Sequence, residues 1–201
     1  MVTQDFEREA ALFRQQGGIL RMAEALRLGV RRSALYAMRD VGVVVAVSRG
    51  VYRLASLDAP AHPDLVTVAM RVPQGVVCLI SALSFHDLTT QVPHAIDVAL
   101  ERGKTKPRLD YPPTHFTWFS GPAFHEGIET HLLDGVAVRI YSAEKTVVDC
   151  FRHRNQVGMD VFLEALRFWS GRRDRKVDAL LRYARMRHVE RGMRPYLEAS
   201  L

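Results

Sequence analysis

The sequence predicts an α+β protein in two parts. The first is an N-terminal winged helix-turn-helix over residues 1–57. The second is a mixed α/β C-terminal domain over residues 62–201, with a small sheet and C-terminal helices. Three observations carry this. Gly29 to Gly42 places apolar residues at helical spacing, and Val43 to Leu54 then alternates around Ser48-Arg49-Gly50. Ala55 to Pro63 is small, polar and proline-marked, a natural linker. Beyond it the strand-like runs cluster together, with helical segments before and after them, which favours α+β over a regularly alternating parallel sheet.

In order along the chain, Phe6 to Gln16 and Leu20 to Leu28 read as helices joined at Gly17-Gly18, with Gly29 closing the second. In the third helix Ala34, Leu35, Met38 and Val41 recur at three- and four-residue steps and share an inward face. Arg32, Tyr36 and Arg39 lie on another face with Ser33 beside them, and Gly42 stops the helix. The two short β-runs that follow form a hairpin in which Gly50 supplies the positive φ of the turn. Helix, helix, turn, helix, hairpin is the order of a winged helix-turn-helix, whose last helix enters the major groove while the hairpin lies along the backbone. The candidate DNA-binding residues are therefore Arg31, Arg32, Ser33, Tyr36, Arg39, Arg49 and Arg53. Every cation of this region is Arg, the side chain that grips phosphate or guanine bidentately. The same pattern also fits an amphipathic helix whose arginines are simply solvated.

In the second part, Asp64 to Arg71 reads as a helix with Pro63 in its first turn, and Pro73-Gln74-Gly75 turns the chain. Val76 to Asp87 is apolar and helical in character, with Val76-Val77 also able to open as a strand. Ala95 to Leu100 and His115 to Phe119 are strands separated by a basic, proline-rich loop. Ile128 to Leu133 and Val136 to Tyr141 flank Asp134-Gly135, a strong two-residue hairpin signal. Ser142 caps a helix running to about Arg154, with Glu144 favourably placed in its first turn. Asp160 caps a helix from Val161 to Trp169, and Lys176 to Arg187 and Arg191 to Ala199 supply two more. The sheet is expected to hold about four strands.

A net charge of +6 and a pI of about 9.7 favour anionic partners, nucleic acid first. Cys78 and Cys150 sit among apolar neighbours and read as buried, reduced thiols. The N-terminus lacks the pattern of a secretory signal, and no run approaches the ~20 apolar residues of a membrane span, so a soluble, cytoplasmic protein without a membrane partner is expected.

Catalytic signatures are missing: no phosphate-binding Gly loop, paired Cys-x-x-Cys, His-Glu-x-x-His or Gly-x-Ser-x-Gly occurs. His125, Glu126, Glu129 and His131 read as scattered surface groups rather than a metal cluster. Asp97, Glu101 and Lys104 lack the spacing of a metal-dependent nuclease. No catalytic residue, metal or cofactor is expected. Lys145 and Asp149 form an i,i+4 pair that is either a modest helix salt bridge or part of a partner surface. Arg172, Arg173, Arg175 and Lys176 make a basic loop suited to DNA phosphate or an acidic protein. Arg182, Arg185 and Arg187 read equally as basic surface or as the solvated side of a helix whose Leu180, Leu181 and Ala184 pack.

Four stretches occur in a telling order: Arg49 to Leu54 closing the hairpin, Ser81 to Thr89, Tyr141 to Phe151, and Glu164-Ala165-Leu166. In these the chain resembles the AbiEi-type antitoxins, transcriptional regulators of bacterial abortive-infection (type IV) toxin–antitoxin systems. The resemblance implies a winged helix that binds repeats in its own promoter and represses the operon; monomer or dimer on double-stranded DNA is the expected binding state. It also implies a C-terminal domain that counters a nucleotidyltransferase-fold toxin without requiring a stable complex. It transfers Arg32, Ser33, Tyr36, Arg39, Arg49 and Arg53 as DNA-binding residues, and no catalytic residue. Two other readings stand beside it: a nucleic-acid-processing enzyme with a metal site in the second domain, and an interaction module docking on an acidic partner.

Overall fold

The structure is a computed structural model that describes residues 6–57 and 61–200. Residues 58–60 of the expected linker lie outside the described residues. The chain is mixed α+β and divides into two compact units, Met1–Pro73 with His131–Val138, and Gln74–Thr130 with Arg139–Leu201.

The first unit contains α1 (Glu7–Gln15), β1 (Ile19–Arg21), α2 (Met22–Arg27), α3 (Arg32–Asp40), β2 (Val44–Ser48), β3 (Val51–Leu54) and α4 (Pro63–Arg71). Its sheet is antiparallel in the order β1-β3-β2. Alternation along the strands gives it two apolar faces. Leu20, Val44, Tyr52 and Leu54 cluster with Phe13, Ala25, Leu35 and Met38 of the three helices. Ile19 and Val51 instead cluster with Val66 and Met70 of α4, with Leu133 and Val136 packed alongside.

Two features depart from the sequence reading. Ile19–Arg21 is a strand, not the start of a helix: Gly17 and Gly18 take φ of +80° and +82° and turn the chain so that Ile19 pairs with Arg53. The helix α4, expected to open a second domain at residue 62, packs on the sheet of the first unit because Val66 and Met70 cover Ile19 and Val51.

The second unit contains β4 (Val76–Val77), α5 (Leu79–Phe85), β5 (Ile96–Glu101), β6 (Thr114–Phe119), α6 (Pro122–His125), β7 (Ile128–Leu133), β8 (Val136–Tyr141), α7 (Ala143–Arg152), α8 (Arg154–Val157), α9 (Met159–Ser170), α10 (Val177–Met186) and α11 (Glu190–Ser200), except that His131–Val138, the end of β7, the turn and the start of β8, groups with the first unit. The sheet order is β6-β5-β4-β8-β7. It is mixed, β4 running antiparallel to β5 and parallel to β8, and β5 parallel to β6. The expected four strands become five because Val76-Val77 occupies the centre of the sheet. Asp160 does not cap α9: the helix starts at Met159 from Gly158, and Asp160 lies in its first turn.

The helix α7 is the core of this unit. Every residue from Ala143 to Phe151 is buried, and Ser142 caps the helix by accepting the Lys145 backbone N–H at 3.3 Å. Three of the four stretches that carried the family resemblance, Ser81 to Thr89, Tyr141 to Phe151 and Glu164 to Leu166, lie in this unit and are joined around it. His86 Nε2 lies 2.7 Å from the Tyr141 carbonyl, Thr89 Oγ1 donates to Glu164 at 2.6 Å, and Trp169 Nε1 donates to Glu144 at 3.2 Å. Those segments are framework: they hold the helices of the second unit together through polar pairs, buried at Trp169–Glu144 and half-buried at Thr89–Glu164. Among the described residues no helix is long and apolar enough to cross a membrane.

Candidate nucleic-acid interface

The helix α3 is positioned by the turn after α2. Gly29 and Val30 close that turn on the Leu26 and Ala25 carbonyls, and the chain enters α3 through an extended Arg31. Ala34, Leu35 and Met38 are buried, so the helix is anchored by one face. Val41, expected on that face, is 65% exposed, because the helix has already ended at Asp40. The opposite face holds Arg32, Ser33, Tyr36 and Arg39, all exposed, with Arg31 exposed at its entry.

The arginines of this face differ in readiness. Among the described residues Arg31 and Arg32 have no side-chain hydrogen bond or ion pair. Arg39 is engaged: its Nε and Nη2 bond Asp40 Oδ1 at 2.9 Å and 2.6 Å, and its guanidinium lies 5.2 Å from the Tyr36 ring centroid. The Asp40 hydrogen bond and charge push the Arg39 pKa up, so the group stays protonated.

The hairpin completes the candidate surface. β2 and β3 are joined at Arg49-Gly50, with a register shift between Ala46 and Ser48. Arg49 is exposed at the tip while its carbonyl accepts from Arg71 Nη1 at 2.5 Å, which ties the turn down. Arg53 is half-buried and donates to the Leu57 carbonyl at 2.8 Å, so it is held by the protein more than presented.

The other sequence-predicted surface is corrected. Lys145 and Asp149 are fully buried in α7 and present nothing to a partner. Lys145 Nζ donates to Asp149 Oδ2 and, at 3.1 Å, to the Ala123 carbonyl; it also lies 4.1 Å from the Tyr141 ring centroid. Arg187, read as surface or solvated, is only 12% exposed and forms an ion pair with Asp149 Oδ1 at 2.7 Å. One carboxylate thus serves two cations. Burial lowers the Lys145 pKa, and Asp149 pulls it back up.

Arg172 pairs with Asp174 and donates to the His86 carbonyl at 3.2 Å, whereas Arg173, Arg175 and Lys176 remain exposed. Cys78 and Cys150 are free and buried, and burial pushes both thiols well up. Neither has the thiolate character of a nucleophile. Among the described residues no group of three or more His, Cys, Asp or Glu side chains converges to hold a metal.

Comparison with known proteins follows the same division. Residues 7–55, which span α1 to the end of the hairpin, match the family model described as transcriptional regulator, AbiEi antitoxin. The match supports an antitoxin and transcriptional-regulator role and an HTH-like N-terminal region. The fold is similar to that in the crystal structure of the RV2827C protein from Mycobacterium tuberculosis, with a TM-score of 0.64 and 15% identity over 96% of this chain and 75% of that one. Among curated proteins none matches.

Proposed function

We propose, from the regulator family matched by residues 7–55, that this chain is an antitoxin and autoregulatory repressor reading DNA through a winged helix-turn-helix. In this reading α3 enters the major groove of double-stranded DNA from the promoter of its own operon, and the Arg49 hairpin is the wing along the backbone. The observation that carries the reading is the uncovered face of α3, where Arg32 stands free beside Ser33 and Tyr36. Arg32 suits a bidentate contact to guanine or phosphate, and Ser33, at the positive end of the helix, a phosphate oxygen. Arg39 reaches DNA by exchanging Asp40 for phosphate; Arg31 and Arg49 add backbone charge, and Arg53 supports the strand.

The DNA-reading domain is the sequence-defined segment 1–57, with residues 62–201 forming the antitoxin-like remainder. That remainder counters a nucleotidyltransferase-fold toxin, with or without a stable complex, and Arg173, Arg175 and Lys176 are its candidate surface. Lys145 and Asp149 act there only as framework. The protein works in the cytoplasm, as monomer or dimer on DNA, without catalysis or cofactor. DNase I protection of the DNA upstream of the gene tests this reading. A discrete protected repeat is expected; uniform cleavage at saturating protein would overturn it.

A further inference from the structure

The second unit contains a cleft of about 420 Å³ that DNA reading by α3 does not use. Its lining is Arg102, Trp118, Phe119, Ser120, Arg152, His153 and Arg187. We propose that this cleft binds the phosphate monoester of a small molecule, and that Trp118 favours one carrying a flat ring, a mononucleotide.

Charge is the first argument. Arg102, Arg152 and Arg187 converge on one cleft, and the carboxylate beneath them, Asp149, is already shared between Lys145 and Arg187. Among the described residues neither Arg102 nor Arg152 pairs with an acid. Burial holds the His153 pKa below the ordinary value of 6.5, so the ring adds no further positive charge to the arginines at pH 7. A concave site with excess guanidinium charge and partly apolar walls raises the local concentration of anions.

Preorganisation is the second. Arg187 is 12% exposed, pinned by Asp149 at Nε, close to His153 Nε2 at 3.3 Å through Nη2, and laid 4.7 Å from the Phe119 ring centroid. Its Nη1 has no protein partner among the described residues. A guanidinium fixed on two sides and open on the third loses little freedom when it grips an oxyanion. Arg102 and Arg152, exposed at the rim, can close on the remaining phosphate oxygens, as can the Ser120 hydroxyl.

The third is the wall. Trp118 is 39% exposed, and its indole N–H donates to the Lys104 carbonyl at 2.8 Å, which fixes the ring. A held, exposed indole beside a cationic cleft is a stacking platform for a base.

The test uses the full chain at low ionic strength, titrated by calorimetry with inorganic phosphate, AMP and a phosphate-free adenosine control. Saturable AMP binding with a Kd at or below about 1 mM is expected, with weaker phosphate binding and none for adenosine. Arg102→Ala/Arg152→Ala, which leaves the Arg187–Asp149 pair intact, should weaken AMP at least tenfold, roughly the loss of one charge-assisted hydrogen bond. Absence of saturable AMP or phosphate heat overturns the proposal. So does an unchanged Kd in the double variant, or a double variant that weakens duplex DNA while AMP binding persists. Protection of promoter DNA by the same variant, compared with wild type, keeps a failure here distinct from a failure of the repressor reading.

Discussion

Replacing Asp149 by Asn keeps the volume of the side chain and removes its charge, in a place where charge is the issue. Asp149 and Lys145 are fully buried and Arg187 is 12% exposed. The substitution therefore leaves two cations facing each other around a neutral amide. Breaking a buried ion pair from one side typically costs 3–5 kcal/mol, and Asn at 149 orphans two partners, so the cost is placed in that range at about 3–5 kcal/mol. At a urea slope near 2 kcal/mol per M, that moves the unfolding midpoint down by about 1.5–2.5 M. Lys145→Met alone should cost less, because Asp149 keeps Arg187. Lys145→Met/Asp149→Asn should be milder than the sum of the two single changes, because Met no longer contributes an unpaired charge. The assay is urea unfolding followed through the fluorescence of buried Trp169. A cost below about 1 kcal/mol for Asp149→Asn, or strict additivity in the double variant, would refute the shared-carboxylate account.

Other outcomes follow from the same geometry. Gly17→Ala should destabilise the first unit by about 1–3 kcal/mol, since φ is +80° and a Cβ would meet the Gly135 Cα at 3.0 Å; the midpoint of thermal unfolding reads this. Hydrogen bonds from Thr89 and Thr90 hold the Glu164 carboxyl below its ordinary pKa of 4.5. A depressed acid contributes stability above its unfolded pKa and loses it as pH falls through the folded one. The stability gap between wild type and Glu164→Gln should therefore be constant above about pH 5.5 and shrink below about pH 4.5 in urea melts. A gap that widens on acidification would contradict the assignment.

The candidate interface was legible because it is an amphipathic helix with one anchored face, the pattern that three- and four-residue spacing reports best. Ala34, Leu35 and Met38 are buried and Arg32, Tyr36 and Arg39 exposed, as the spacing requires, whereas Val41, the fourth residue of that spacing, lies past the helix end and is exposed. What the spacing lacks is the state of each arginine: Asp40 beside Arg39 and the Leu57 carbonyl on Arg53 emerge only with side-chain directions. The strand Ile19–Arg21 was illegible for another reason. Three residues carry no period, and its character comes from pairing with β3.

The helix α7 inverted its own signal. Lys145 and Asp149 read as a solvated or partner-facing pair and Glu144 as a first-turn acid, yet each is buried because compensation arrives from remote chain: the Trp169 indole and the Lys176 backbone N–H for Glu144, Arg187 for Asp149. Periodicity locates a polar stripe and is blind to what covers it. The position of α4 was lost in the same way, since a proline-marked linker signals a break in regular structure and not a break in packing.

The central claim is that the free face of α3 reads DNA. Fluorescence anisotropy on the upstream DNA and on a scrambled duplex, at several salt concentrations, tests it most directly for wild type and Arg32→Ala/Tyr36→Ala. Wild type should prefer the upstream site by on the order of a thousandfold. The double substitution should remove most of that preference while leaving much of the salt-dependent, non-specific binding supplied by the other arginines. Equal affinity for both duplexes, or a preference unchanged by the substitution, would contradict the account.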